Sequence, residues 1–291
     1  MSCLISKIQF VILSLLLVPP CSVYAQGAHY TIEDSIMVEQ LLSDAKLHCL
    51  DKHYPLYFAH RFKGIPYVGG TLDRFDTERL VVNIRELDCT TFVETVLAFT
   101  LAMQSEHPSF NEFCQQLKRV RYHNGTLNGY ASRNHYFSEW IENAERCGLV
   151  NDVLKGDESQ IPLQSQYLLL DFMSTHANAY PMLKANPSVV ASIRKKEIAM
   201  NGKEVRYIPK SAFDADTCFN GIIKSGDILA FVTKTKGLDI AHVGMAVWKE
   251  GRLHLLHASS KHKKVLLDTQ TLHLYLRKSP LLLGVRVLRI L

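Results

Sequence analysis

The chain has 291 residues, 47% of them hydrophobic, and a net charge of +5. This composition supplies one substantial core and excludes a disordered chain. The positive charge is spread along the sequence without a basic cluster, so nucleic acid is not implied.

In chain order, Lys7 precedes an apolar run from Ile8 to Val18, and Val23-Tyr24-Ala25 follows it as a small-residue site. The pattern is that of a signal peptide over 1–25, and the run is too short to span a bilayer. The expected mature protein is therefore a single domain over 26–291, exported to the periplasm or cell envelope, with no membrane span. Cys21 raises the alternative of a lipid anchor, but Pro20 immediately before it makes a poor lipoprotein cleavage site. Removing this segment leaves Cys49, Cys89, Cys114, Cys147 and Cys218, with no C-x-x-C spacing. An odd set in an exported protein implies at least one thiol that is free or paired with another molecule.

Thr31-Ile32-Glu33-Asp34 opens a first helix with a capping-box signature, continued by Met37, Leu41, Leu42 and Ala45. The stretch FKGIPYVGGTLD (62–73) carries a proline and three glycines, which break any regular element and allow close backbone approach. From Cys89 to about Gln104, Phe92, Val93, Val96, Phe99 and Met103 follow the helical period behind Asp88 as cap. Residues 105–200 are expected to be less regular insertions, with helical stretches at 109–120 and 136–146. Beyond 197, EIAM-NG-KEVRYI reads as a hairpin. DILAFV (227–232), HVGMAVW (242–248), RLHLLHA (252–258) and GVRVLRIL (284–291) read as strands of an antiparallel meander. Helices first and strands later give an α+β order, a curled sheet packed against N-terminal helices.

Cys89 stands at a helix N-terminus, where unpaired N–H groups and the macrodipole favour a thiolate. It also lies on the apolar stripe of that helix, so a buried core cysteine is the competing reading. A nucleophile needs a base, and the base needs an orienting partner. If the hairpin after His242 closes with a two-residue loop, Lys249-Glu250 sets His242 directly opposite His257, while Glu250-Gly251 offsets them diagonally. Either way both imidazoles share a face. His254 falls on the opposite face, so His257 is the choice. In RNHYFSEWIENA (133–144), Arg133, Asn134, His135, Tyr136 and Trp140 suit a polar, aromatic ligand platform. The same stretch fits an amphipathic helix capped by Ser138 equally well.

GIPYVGG, LDCTTFVE, SGDILAFV, AHVGMAV and LLHASS, in that order, resemble the NlpC-type papain-like cysteine hydrolases of bacterial peptidoglycan. The resemblance covers about 62–104 and 225–260. It implies a papain-like fold with Cys89 as nucleophile, His242 as base, His257 as its orienting group and Tyr67 as an oxyanion donor. Gly70, Thr71, Asp88, Arg133, Asn134 and Tyr136 become candidate substrate-binding residues. Threonines replace the usual Ser-Gly after the cysteine, and 18 residues separate Gly70 from Cys89. These departures resemble the N-acetylmuramoyl-L-alanine amidase-like branch. The implied protein is a monomeric, cofactor-free amidase acting on peptidoglycan or muropeptides at the N-acetylmuramic acid–L-alanine amide. Cleavage between D-glutamate and the diamino acid, a metal-dependent hydrolase and a non-catalytic wall-binding module are the alternatives.

Overall fold

The computed structural model describes residues 27–155, 162–213, 219 and 221–291. The signal peptide read over 1–25 and Cys218 lie outside the described residues.

β1 (Ala28–His29) pairs in parallel with β2 (Leu80–Val81). Between them, α1 (Ile32–His48) opens on a capping box in which Thr31 and Asp34 satisfy each other's backbone N–H groups. α2 (Tyr54–Arg61), α3 (Cys89–Gln104) and α4 (Phe110–Arg121) follow. α3 starts and ends where its period predicted, but every residue from Thr91 to Thr100 is buried. The helix is enclosed by α2 and α4 on one side and by the sheet on the other, so no face remains for water. Glu94 is the charge that this enclosure traps. Arg121 answers it at 2.7 Å and also donates to the Val81 carbonyl at 2.7 Å.

α5 (Phe137–Arg146) leads into β3 (Val150–Asp152) and β4 (Gln164–Tyr167). α6 (Phe172–Thr175), α7 (Pro181–Lys184) and α8 (Pro187–Met200) then build a small apolar cluster from Leu168, Met173, Leu183, Ile193 and Met200. The helix that begins in RNHYFSEWIENA has Tyr136 at its cap position. Ser138 lies inside the first turn and donates its N–H to Asp239, so it is not the cap.

The expected hairpin over EIAM-NG-KEVRYI is corrected. EIAM closes α8, Asn201-Gly202 turns the chain, and β5 (Glu204–Pro209) pairs with β4 and β10. Asn186 caps α8 and Pro187 occupies its first turn. Ile193, Glu197 and Met200 are buried at helical spacing, so the helical period outweighs the local turn signal.

β6 (Ile228–Thr233), β7 (Ile240–Lys249), β8 (Arg252–Ser259) and β9 (Lys264–Thr271) form the meander. α9 (Leu272–Arg277) and β10 (Leu282–Ile290) complete the chain. Among the described residues the sheet runs β4-β5-β10-β6-β7-β8-β9, every pairing antiparallel, with β3 also on β10. The architecture is thus mixed α+β, helices against an antiparallel sheet. The sequence reading did not include β9.

Candidate active site

Asp88 caps α3, accepting from the Thr91 N–H at 2.8 Å, while its own N–H donates to the Thr91 hydroxyl at 2.8 Å. This reciprocal cap fixes the first turn and so the Cys89 side chain. It also gives Thr91 a structural task where the resembled motif has glycine. The Val243 N–H and Thr90 lie close enough to the Cys89 sulfur to favour its charged form. Val243 follows His242 directly, so the thiol sits against the stretch of β7 that carries the imidazole. Cys89 and His242 line one cavity of about 190 Å³.

The hairpin register decides which histidines meet. Lys249 pairs with Arg252 and Met245 with Leu256, so the loop is Glu250-Gly251, with φ of 51° and 72° as such tight turns require. This is the diagonal arrangement. Continued one step, the register sets Gly244 opposite His257, and a Cβ there would lie 2.9 Å from the His257 Cβ. The bare glycine gives His257 room to lean, and its Nδ1 lies 2.6 Å from His242 Nε2. His242 Nδ1 is the nitrogen left free of that contact. His254 turns to the other face and bonds the Asp268 carbonyl at 3.0 Å.

Behind His257, the Asp268 Oδ2 lies 3.8 Å from Nε2. Tyr275 stands edge-on to His257, ring centroids 5.8 Å apart. Neither residue was anticipated, because both follow from β9 and α9. A second cavity of about 500 Å³ opens here and meets the first at Ala241 and His242, with Lys261, His262 and Lys278 on its wall.

Burial dominates the electrostatics. It pushes the Cys89 thiol up to about 11, the neighbouring Asp88 charge adding to the effect and the Val243 N–H and Thr90 opposing it. Burial also drives His242 down to about 3, helped by His257, and His257 down to about 4 against the pull of Asp268. The expectation of an acidified thiol is therefore corrected. The helix N-terminus acts on it, but desolvation is larger, and at neutral pH the site holds a thiol beside neutral imidazoles.

The other sequence candidates divide. Asn134 and Tyr136 line the Cys89 cavity. The Asn134 Oδ1 is buried without a partner, whereas the Tyr136 hydroxyl is committed to Glu197 at 2.8 Å and the Met173 N–H at 3.0 Å. Arg133 is buried and spends its guanidinium on Glu78 at 2.6 Å, Asp73 at 2.8 Å and the Leu72 carbonyl. It is tied to structure and does not reach the cavity. Gly70 takes φ of 72° to begin the turn Thr71–Asp73, so this pair holds the Arg133 partner in place and also stays off the cavity lining. Tyr67 is half-buried and close enough for the Cys89 and Asp88 charges to act on its hydroxyl. Burial first, then those charges, pushes it up to about 12. Its loop is pinned to the start of β9 through Tyr67 N–H to Lys263 O and Gly64 N–H to Val265 O. Met173 and Tyr180, from the α6–α8 cluster, wall the cavity and had no sequence signal of their own. Among the described residues, Cys49, Cys89, Cys114 and Cys147 are free thiols, no metal-binding cluster forms, and no helix is long and apolar enough to cross a membrane.

Residues 57–285 match the AmiA-like model, described as N-acetylmuramoyl-L-alanine amidase-like. The chain belongs to this family. Among solved structures, an N-acetylmuramoyl-L-alanine amidase from Bacteroides uniformis is 39% identical, with TM-score 0.77 over 82% of this chain and 98% of its own. A Bacteroides fragilis protein, described as a presumed xylanase, is 45% identical, with TM-score 0.75 over 81% of this chain and 100% of its own. A Legionella pneumophila protein of the DUF1460 family is 23% identical, with TM-score 0.69 over 89% of this chain and 95% of its own, and shares the fold. No curated protein matches the chain.

Proposed function

We propose that this amidase-like chain hydrolyses the amide between N-acetylmuramic acid and L-alanine in peptidoglycan or its fragments, with Cys89 as nucleophile. The observation that carries the reading is that Cys89 and His242 line one cavity, while the Nε2 of His242 is engaged by His257. His242 Nδ1 takes the thiol proton as sulfur attacks the lactyl carbonyl. Because both groups start neutral, transfer and attack proceed together instead of from a standing ion pair. The Tyr67 hydroxyl, kept protonated by its raised pKa, and the Cys89 backbone N–H donate to the developing oxyanion. His242 then protonates the leaving L-alanine amine, and water resolves the thioester.

The name given to the Bacteroides fragilis relative suggests glycoside hydrolysis, which calls for two carboxylates facing across the bond. Among the described residues the one carboxylate lining the Cys89 cavity is Asp239, and it already accepts the Ser138 N–H at 2.5 Å. The export signal read over 1–25 supports the amide reading, since export would bring the enzyme to its substrate in the cell envelope.

Digestion of a defined muropeptide followed by mass spectrometry tests the proposal. The expected products are the lactyl sugar and a peptide with a free L-alanine amine. Sugar still joined to L-alanine–D-glutamate would move the cleavage to the γ-D-glutamyl bond. Unchanged substrate with retained binding would leave a wall-binding module.

A further inference from the structure

We infer that Asp268 is a positioning residue of this site, acting through His257 to select the tautomer in which His242 can accept a proton. The inference rests on the roles proposed for Cys89 and His242 and extends the set by a residue to which nothing in those roles points.

His257 is 3% exposed and Asp268 4%, so neither is held in place by solvent. The His257 Nε2 is buried without a hydrogen-bond partner, and the Asp268 Oδ2 faces it at 3.8 Å. A movement of about 0.6–1 Å converts that gap into an ordinary N–H···O hydrogen bond. Asp268 is built to hold this aim. Its Oδ1 accepts the Gln270 N–H at 2.9 Å, and its carbonyl accepts from His254 at 3.0 Å. These bonds close the register shift between β8 and β9 that falls at His254 to Leu256. Bulges of this kind re-aim side chains beside functional sites. The remaining groups around His257 are His262 from the β8–β9 turn, bonded to the Ser259 hydroxyl at 3.1 Å, and Tyr275 from α9.

The 2.6 Å contact between His242 Nε2 and His257 Nδ1 has one proton to share, which leaves two arrangements. In one, His257 carries its proton on Nε2, towards the carboxylate. Its Nδ1 accepts from His242 Nε2–H, and His242 Nδ1 presents a lone pair. In the other, His257 donates from Nδ1, its Nε2 lone pair faces the Asp268 charge, and His242 carries its proton on Nδ1, where it cannot act as base. The carboxylate favours the first and opposes the second. Throughout, the proton from Cys89 goes to His242 Nδ1.

Nitrogen NMR of the folded wild-type protein reads the tautomer directly and needs no substrate. His257 protonated on Nε2 is expected, and His257 protonated on Nδ1 overturns the inference. Asp268→Asn keeps the shape and an oxygen for Gln270. It is expected to populate the Nδ1–H form and to lower kcat about 10- to 100-fold with KM within about twofold. In a His257→Gln background the same change is expected to alter kcat by less than about twofold, because the path through His257 is already gone. An unchanged tautomer in Asp268→Asn, or a full further loss in that background, overturns the inference. Wild-type protein without thiol-dependent turnover defeats the Cys89 reading, whereas the tautomer measurement still decides the contact with Asp268.

Discussion

His242 Nε2 and His257 Nδ1 lie 2.6 Å apart, from neighbouring strands and in a diagonal register. Both rings are held neutral, down to about 3 and about 4, chiefly by burial. An unfolded chain, with histidines near their ordinary pKa of about 6.5, binds more protons than the folded one across that interval. The stability contributed by the pair is therefore complete above about pH 6.5 and falls away as the pH drops towards about 4. Melting temperature against pH is expected to decline over this window, and His257→Gln is expected to flatten the decline.

Cys89 is held up at about 11, so its alkylation by iodoacetamide should show no inflection near the ordinary thiol value of about 8.5 and should still be climbing at pH 10. A titration midpoint below 8 would mean that a standing thiolate exists. Cys89→Ser is expected to fold normally and lose at least about 10³-fold in turnover, checked by muropeptide digestion.

Gly244 faces His257 with no room to spare. A Cβ would meet the Leu255 Cδ1 at 2.7 Å and the His257 Cβ at 2.9 Å. Gly244→Ala is expected to cost about 1–3 kcal/mol in denaturant unfolding and to lower kcat by displacing the imidazole.

Tyr67→Phe removes one oxyanion donor and leaves the loop's backbone pairing intact. Turnover should drop about 10²- to 10³-fold with little change in stability, as measured by kinetics alongside a thermal melt.

Arg133→Ala separates two readings of that residue. A substrate-binding arginine would show its loss in KM. The buried ion pairs with Glu78 and Asp73 predict instead a loss of about 3–5 kcal/mol in stability, because the carboxylates lose their counter-charge.

The helix over Cys89–Gln104 and the strands around His242 and His257 were readable because each rests on local periodicity, a cap or a tight turn. The choice between two hairpin registers was not, since Lys249-Glu250 and Glu250-Gly251 both permit a two-residue loop. The pairing of Lys249 with Arg252, which leaves Glu250 and Gly251 as the positive-φ loop, settled it. β9 escaped because a bulge interrupts its alternation, and Asp268 and Tyr275 escaped with it. Arg133 looked like a ligand group because its partners Asp73 and Glu78 lie more than fifty residues away in sequence. The thiol's charge state depended on how deeply α3 is enclosed, which no single helix reveals.

β10 is an interior strand, flanked by β6 on one side and by β5 and β3 on the other. Without it, β6 and β5 each keep an open hydrogen-bonding edge, so the sheet closes only through this strand. A nascent chain stalled before residue 282 would therefore expose two sticky rims, and truncation there should produce aggregates and not a smaller folded unit.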